Sequence, residues 1–162
     1  MKKWVIALFA ILSSASTNFA EQKVRWVTFK SNLLNLTVSV PSDWSPVKAP
    51  KMLAFRYDDL VGGTAGAGIL KSDQIKKIDE AAEKELQTPG HSADWSRSDA
   101  TVGGMRAIEI TGTDLKDPTK RFEHYYIETP NGVYLVQCQG TGDLWTTFDP
   151  IFTKILTSLK FL

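Results

Sequence analysis

The sequence predicts an α+β fold, an antiparallel β-sheet of about six to eight strands sandwiched by two main helices. Three observations carry that expectation. Strand-like runs of β-branched and aromatic residues recur along the chain at short intervals. Only two stretches carry helical periodicity, one in the middle of the chain and one at its end. "HYYI" (124–127) and "VYLV" (133–136) are apolar on both faces, so their strands belong at the centre of a sheet covered on both sides.

The first twenty residues read as a secretory signal peptide rather than as part of the fold. Lys2 and Lys3 precede a nine-residue apolar run, Trp4–Leu12, and a small, polar stretch, Ser13–Ala20. A spanning helix needs about 20 apolar residues, so the run is too short to anchor the chain. Cleavage is expected after Ala20, with Ala15 as the competing site. No cysteine lies near either, which excludes a lipid anchor. Residues 21–162 then form a single domain, large enough to bury about 68% of its unfolded surface.

"VRWVTFK" (24–30) and "LLNLTVSV" (33–40) form a hairpin, the second alternating Leu34, Leu36, Val38 and Val40 against Asn35, Thr37 and Ser39. "PSDWSP" is a loop between prolines. "MLAFRY" and "AGAGILK" are strands joined through "DDLVGGT". Asp73 caps a helix over "QIKKIDEAAEKEL", whose stripe is Ile75, Ile78, Ala82 and Leu86, with Glu80 and Lys84 paired on its wet side. "TPG" (88–90) stops it. Strands resume at "WSRSDATV", "MRAIEITG", "RFEHYYIET" and "VYLVQCQG". The "TPNG" connection (129–132) predicts a type I turn with Gly132 as a left-handed bulge, since Pro130 forbids type I′. The last helix is expected to start at Pro150 with Asp149 as its cap. Pro150 would kink the helix if "LWTTF" were also helical.

Composition and motifs exclude several chemistries. Of 19 basic side chains, Lys2 and Lys3 lie in the leader, leaving 17 against 18 acidic and a charge of −1. Bulk charge therefore attracts neither nucleic acid nor an anionic membrane. Cys138 is the only cysteine, so no intrachain disulfide forms. The glycines of "DLVGGTAGAGIL" (59–70) match neither the P-loop nor the dinucleotide fingerprint and precede a strand, so they form a turn and small strand residues rather than a phosphate cradle. His91 and His124 stand alone, without metal-ligand spacing, and no cofactor motif is present. No G-x-S-x-G elbow exists. Cys138 shares a strand face with Tyr134 and Val136, an apolar setting that leaves a thiol inert. Asp58 and Asp59 read as solvated turn residues. Asn35-Leu36-Thr37 matches the glycosylation pattern by chance, inside a strand of a bacterial-type exported chain. Trp44, Trp95 and Trp145 sit at element ends, where each either plugs an end of the sheet or contributes to a partner-binding rim.

Three stretches resemble the PsbP-like fold family. "LTVSVPSDWSP" (36–46) is similar to its opening strand, proline and tryptophan. "ATVGGMRAIEITGT" (100–113) resembles its central glycine and following strand, and "FTKILTSLKFL" (152–162) its final helix and tail. The family includes the photosystem extrinsic protein, a Ran-binding nuclear relative and bacterial DcrB-type envelope proteins. The resemblance implies an antiparallel sheet between helices and a role in binding or assembly. It makes Pro41, Trp44, Gly104 and Phe161 fold determinants and carries over no catalytic residue. The functional expectation is a non-enzymatic exported accessory module that binds another envelope or secreted protein. The alternative is a carrier of a small apolar ligand between the sheet and the Pro150–Leu159 helix. A hydrolase using Cys138 or a serine with His124 comes third.

Overall fold

A computed structural model of the protein describes residues 24–59, 63–88, 94–142 and 144–162. Its strands are β1 (Trp26–Ser31), β2 (Leu36–Pro41), β3 (Ser45–Ala49), β4 (Met52–Asp59), β5 (Gly63–Ser72), β6 (Ser96–Val102), β7 (Met105–Thr113), β8 (Lys120–Thr129), β9 (Gly132–Thr141) and β10 (Lys160–Phe161). Helix α1 (Ile78–Leu86) lies between β5 and β6, and α2 (Leu144–Ser158) between β9 and β10. Seven strands form one antiparallel sheet in the order β3-β4-β5-β9-β8-β7-β6. A smaller sheet has the order β1-β2-β10. The two strands apolar on both faces, β8 and β9, lie side by side in the interior of the large sheet.

Period-two alternation divides the large sheet into two unlike faces. Ala65, Ala67 and Ile69 of β5 stand beside Cys138 and Val136 of β9, with Tyr125 and Ile127 of β8 beyond. This inner face packs against Leu36, Val38 and Val40 of β2 and against Phe148, Phe152, Ile155 and Leu156 of α2. Trp44 belongs to the same core, only 4% exposed, with its ring edge-on to Phe148 at 5.7 Å and to Phe152 at 5.9 Å. On the outer face a smaller cluster joins Ile78 and Ala82 of α1 to Ile108, Ile110, Tyr126 and Val133.

Polar contacts fix the layers in register. The buried Tyr134 hydroxyl donates to the Leu34 carbonyl at 2.7 Å, tying β9 to the start of β2. Ser158, the last residue of α2, accepts the Ser39 N–H at 2.8 Å. The Leu162 N–H reaches the Asn35 carbonyl at 2.9 Å. Asn35 occupies the β1–β2 turn with φ +52°, ahead of the strand rather than inside it.

Several boundaries differ from the sequence expectation, each for a local reason. Helix α1 begins at Ile78 after Lys77, which is extended (φ −134°, ψ 126°) and makes no side-chain cap bond. Asp73 does not cap it. Ser72 Oγ accepts the N–H groups of Gln74 and Ile75 at 3.3 and 3.1 Å, forming a separate turn before the helix. Glu80 pairs with Lys77 at 2.7 Å instead of with Lys84. Helix α2 begins at Leu144, six residues before Pro150, so Asp149 lies inside it. Proline in a helix costs about 3 kcal/mol, but burying an aromatic side chain returns about 1.5–3 kcal/mol. The early turns bury Phe148 and seat Trp145 5.5 Å from Phe152, which offsets that cost.

The TPNG turn carries no bulge. Thr129 stands opposite Gly132 in the same register as the rest of β8–β9, and Gly132 has the positive φ (+117°) that the sequence predicts. Gly103 and Gly104 close the β6–β7 hairpin at φ +58° and +78°, the double positive φ that a type I′ turn requires. The Pro89–Gly90 stop signal and His91 lie outside the described residues.

Phe152 touches Trp44, Trp145 and Phe148 and is fully buried. Phe152→Ala is therefore predicted to lower unfolding stability by about 3–5 kcal/mol in chemical denaturation. A loss below about 1 kcal/mol would contradict this packing.

Candidate functional site

Helix α1 is nine residues long, about 13 Å, and packs on β7 and β8. The outer faces of β4, β5 and β9 extend past it. Two rows of side chains cross this uncovered half in register. One runs Ala54, Gly68, Gln137, His124 and the next Arg56, Gly66, Gln139, Phe122. They line a hollow of about 350 Å³ whose middle strand presents no side chain at Gly66 and Gly68. The glycine-rich stretch supplies the small residues of strand β5, as the sequence predicts, with alanines buried on one face and glycines on the other. Gly66 has a packing reason as well, since a Cβ there would stand 3.2 Å from the Phe55 carbonyl oxygen.

The floor meets a buried polar cluster beneath α1. Glu85 accepts from His124 Nδ1 at 2.5 Å and from the Tyr126 hydroxyl at 2.7 Å. Burial first, and the Glu85 carboxylate second, push the ionisation of Tyr126 well above that of a free phenol. Beyond this cluster a second hollow of about 530 Å³ is lined by Lys76, Lys77, Glu80, Lys84, Glu85 and Tyr126, among others. Lys77 is paired with Glu80, and Glu85 is engaged below. Lys76 and Lys84, also in the lining, form no ion pair among the described residues. At the far end of the floor the Trp95 ring lies 5.9 Å from both Phe122, tilted to it, and His124, edge-on, and donates its indole N–H to the Thr113 carbonyl. Its ring lies so close over Gly112 that a Cβ there would fall 2.4 Å from it.

Arginines from β6 and β7 clamp α1 from its other side. Arg97 bonds Asp79 and Glu83, each at 2.7 Å, and Arg106 reaches Asp79 at 3.0 Å. The Arg106 guanidinium holds the Asp79 carboxyl below the usual carboxylate range. Pairs this exposed contribute register more than energy.

The structure separates most residues that the sequence singled out. Trp44 is a core plug. Trp145 packs on Gly140 under the first turn of α2, and Trp95 alone borders the open floor. Cys138 and His124 stand on opposite faces of the sheet: His124 is level with Gln137, and Cys138 with Glu123. Burial raises the Cys138 thiol well above its ordinary value. The aromatic face of α2 that would meet a carried apolar ligand is filled by Trp44, Tyr57 and the inner sheet. Among the described residues, no three His, Cys, Asp or Glu side chains converge as metal ligands. Sequence reasoning missed Glu85, although its position gives the signal. It falls three residues after Ala82 and seven after Ile78, on the helix stripe that otherwise packs against the sheet.

No family model matches the sequence, and no curated protein matches it. Solved structures do match, and they show the fold. Cyanobacterial PsbP from Synechocystis sp. PCC 6803 aligns with a TM-score of 0.57 at 12% identity, covering 88% of this chain and 96% of that one. LpqN, described as involved in cell envelope biogenesis of Mycobacterium tuberculosis, aligns at 0.54 and 18% identity over 85% and 91%. A Bacteroides thetaiotaomicron protein aligns at 0.53 and 17% identity, covering 83% of this chain and 48% of its own, so this chain spans about half of that one. The fold is PsbP-like.

Removing the shared acceptor should be costly. Glu85→Ala is predicted to destabilise the protein by about 1–3 kcal/mol in urea, because it strands the Tyr126 hydroxyl and the His124 N–H. The neighbouring Lys84→Ala should stay within about 0.5 kcal/mol of the parent. Equal effects from the two variants would contradict the assigned role of Glu85.

Proposed function

We propose that the chain is a non-enzymatic, exported accessory module that binds another envelope or secreted protein, and that the open outer face of its sheet is the binding surface. One observation carries this reading. The inner face of the seven-stranded sheet is covered by α2 and the small sheet, whereas α1 covers the outer face over β7, β8 and the Val133 end of β9. Concave ground of this kind, apolar at Met52, Ala54 and Phe122 and amide-bearing at Gln137 and Gln139, suits an extended polypeptide. Each glutamine amide offers one donor group and one acceptor to a main chain. Lys76 and Lys84 in the lining of the adjoining hollow favour a partner segment that carries acidic side chains.

Export is supported by the Lys2–Lys3 and Trp4–Leu12 leader pattern in residues 1–20, with residues 21–162 as the single mature domain. Among the described residues no helix is long and apolar enough to cross a membrane. A neighbour of the same fold described as acting in cell envelope biogenesis agrees with an envelope setting.

Photo-crosslinking in the producing cell tests the surface. A photoreactive amino acid at Ala54 or Gln139 is predicted to give a discrete protein adduct. The same probe at Thr153, exposed on α2, should give none, and Lys76→Glu with Lys84→Glu should weaken the open-face adduct several-fold. Adducts that form equally from Thr153, or from neither face, would overturn the proposal.

A further inference from the structure

A cluster on the inner face, away from the open floor, contains more acceptors than protons. Tyr125 of β8 donates its hydroxyl to Glu109 Oε1 of β7 at 2.6 Å and lies 3.2 Å from Glu123 Oε2. A phenol has one proton, and Glu109 holds it at the shorter distance. A proton on Glu123 would let it donate to the phenol oxygen across the longer contact. The surroundings favour the same state. Glu123 stands level with Cys138 of β9 and Thr111 of β7, and Asp149 of α2 and Glu109 act on it as like charges. Glu109 also accepts from Ser98 of β6 at 2.8 Å. Arg121, Asp94 and Trp145 share with Glu123 a hollow of about 290 Å³, yet no ion pair joins Arg121 to Glu123 among the described residues.

We infer that Glu123 is a proton-operated latch under the N-terminal half of α2: protonated, it hydrogen-bonds Tyr125 and lets the helix seat, and deprotonated, it repels Asp149 and Glu109 and loosens that seat. Desolvation, then Asp149, then Glu109 raise its carboxyl from the ordinary 4.5 to about 7, against a smaller lowering by the Tyr125 hydrogen bond. The sign follows from linkage. A carboxyl whose folded value is raised contributes stability that is fully present below about 4.5, is lost as pH rises toward about 7, and changes no further above it. The latch therefore closes on the acid side of neutrality and opens on the alkaline side. It is independent of the outer face, and its test does not involve a partner.

Cys138 is a built-in probe, the only cysteine of the chain, buried in the core with Phe148 and Phe152. Its labelling rate by a small methanethiosulfonate, divided at each pH by the rate for the urea-unfolded chain, gives a protection factor for the opening that exposes it. Between pH 5.5 and 8 this factor is predicted to fall on the order of ten-fold, after discounting for partial solvent screening. Glu123→Gln, which keeps a donor, should make it flat and high throughout. Asp149→Asn should keep the fold and move the midpoint toward acid. A carbon-13 titration of the Glu123 carboxyl reads the same event and should show a midpoint near 7. A midpoint below about 5.5, or a parent and Glu123→Gln variant with parallel protection profiles, would overturn the latch.

Discussion

The alternation of side-chain size along β5 and β9 is the constraint from which the rest of the structure follows. On β5 it sets Ala65, Ala67 and Ile69 against Gly66 and Gly68. On β9 it sets Tyr134, Val136 and Cys138 against Leu135, Gln137 and Gln139. The apolar set can be stabilised only by burial, at about 25 cal/mol per Å², and the long apolar helix α2 and strand β2 supply it. The other set offers little area to bury and carries amides that need partners. Nothing in the fold pulls a second helix across it. The short helix α1 goes where the outer face is oily, at Ile108, Ile110 and Tyr126, and stops there.

That unequal covering places two half-buried acid clusters of different character. Under α1, Glu85 has two donors and is satisfied as a carboxylate. Under α2, Glu123 has one shared phenol and like-charged neighbours, and it is satisfied as an acid. Both are held by strand β8, on opposite faces and within three residues of each other. One helix is thus fixed through a charge-assisted hydrogen bond, whereas the other rests on apolar packing with a protonated corner.

Much of the fold was legible in the sequence because it depends on periodicity and on backbone chemistry. Alternation located β2, β4, β5 and β7–β9. The two-faced apolar runs placed β8 and β9 inside the sheet, and Gly132 marked the hairpin between them. The errors arose where a tertiary contact outweighed a local signal. Pro150 and Asp149 spell a helix start, but Trp145 and Phe148 had a core to fill, so α2 begins a turn and a half earlier. Asp73 spells a cap, but Ser72 took the nearby N–H groups first. The candidate surface was harder to read, since an uncovered face is a property of what α1 does not reach. Tryptophan content pointed at Trp44, Trp95 and Trp145, and only Trp95 borders the open floor. Periodicity should have flagged Glu85, an acid on an oily stripe.

The adjacent residues Gln137 and Cys138 allow the central claim, one face sealed and the other open, to be measured directly. Gln137→Cys in a Cys138→Ala background would be compared with the native Cys138 at pH 6, each by thiol labelling relative to the unfolded chain. The account predicts that the introduced thiol reacts within about ten-fold of the unfolded rate, while Cys138 is protected by roughly a hundred-fold or more. Equal protection at the two neighbours would contradict it.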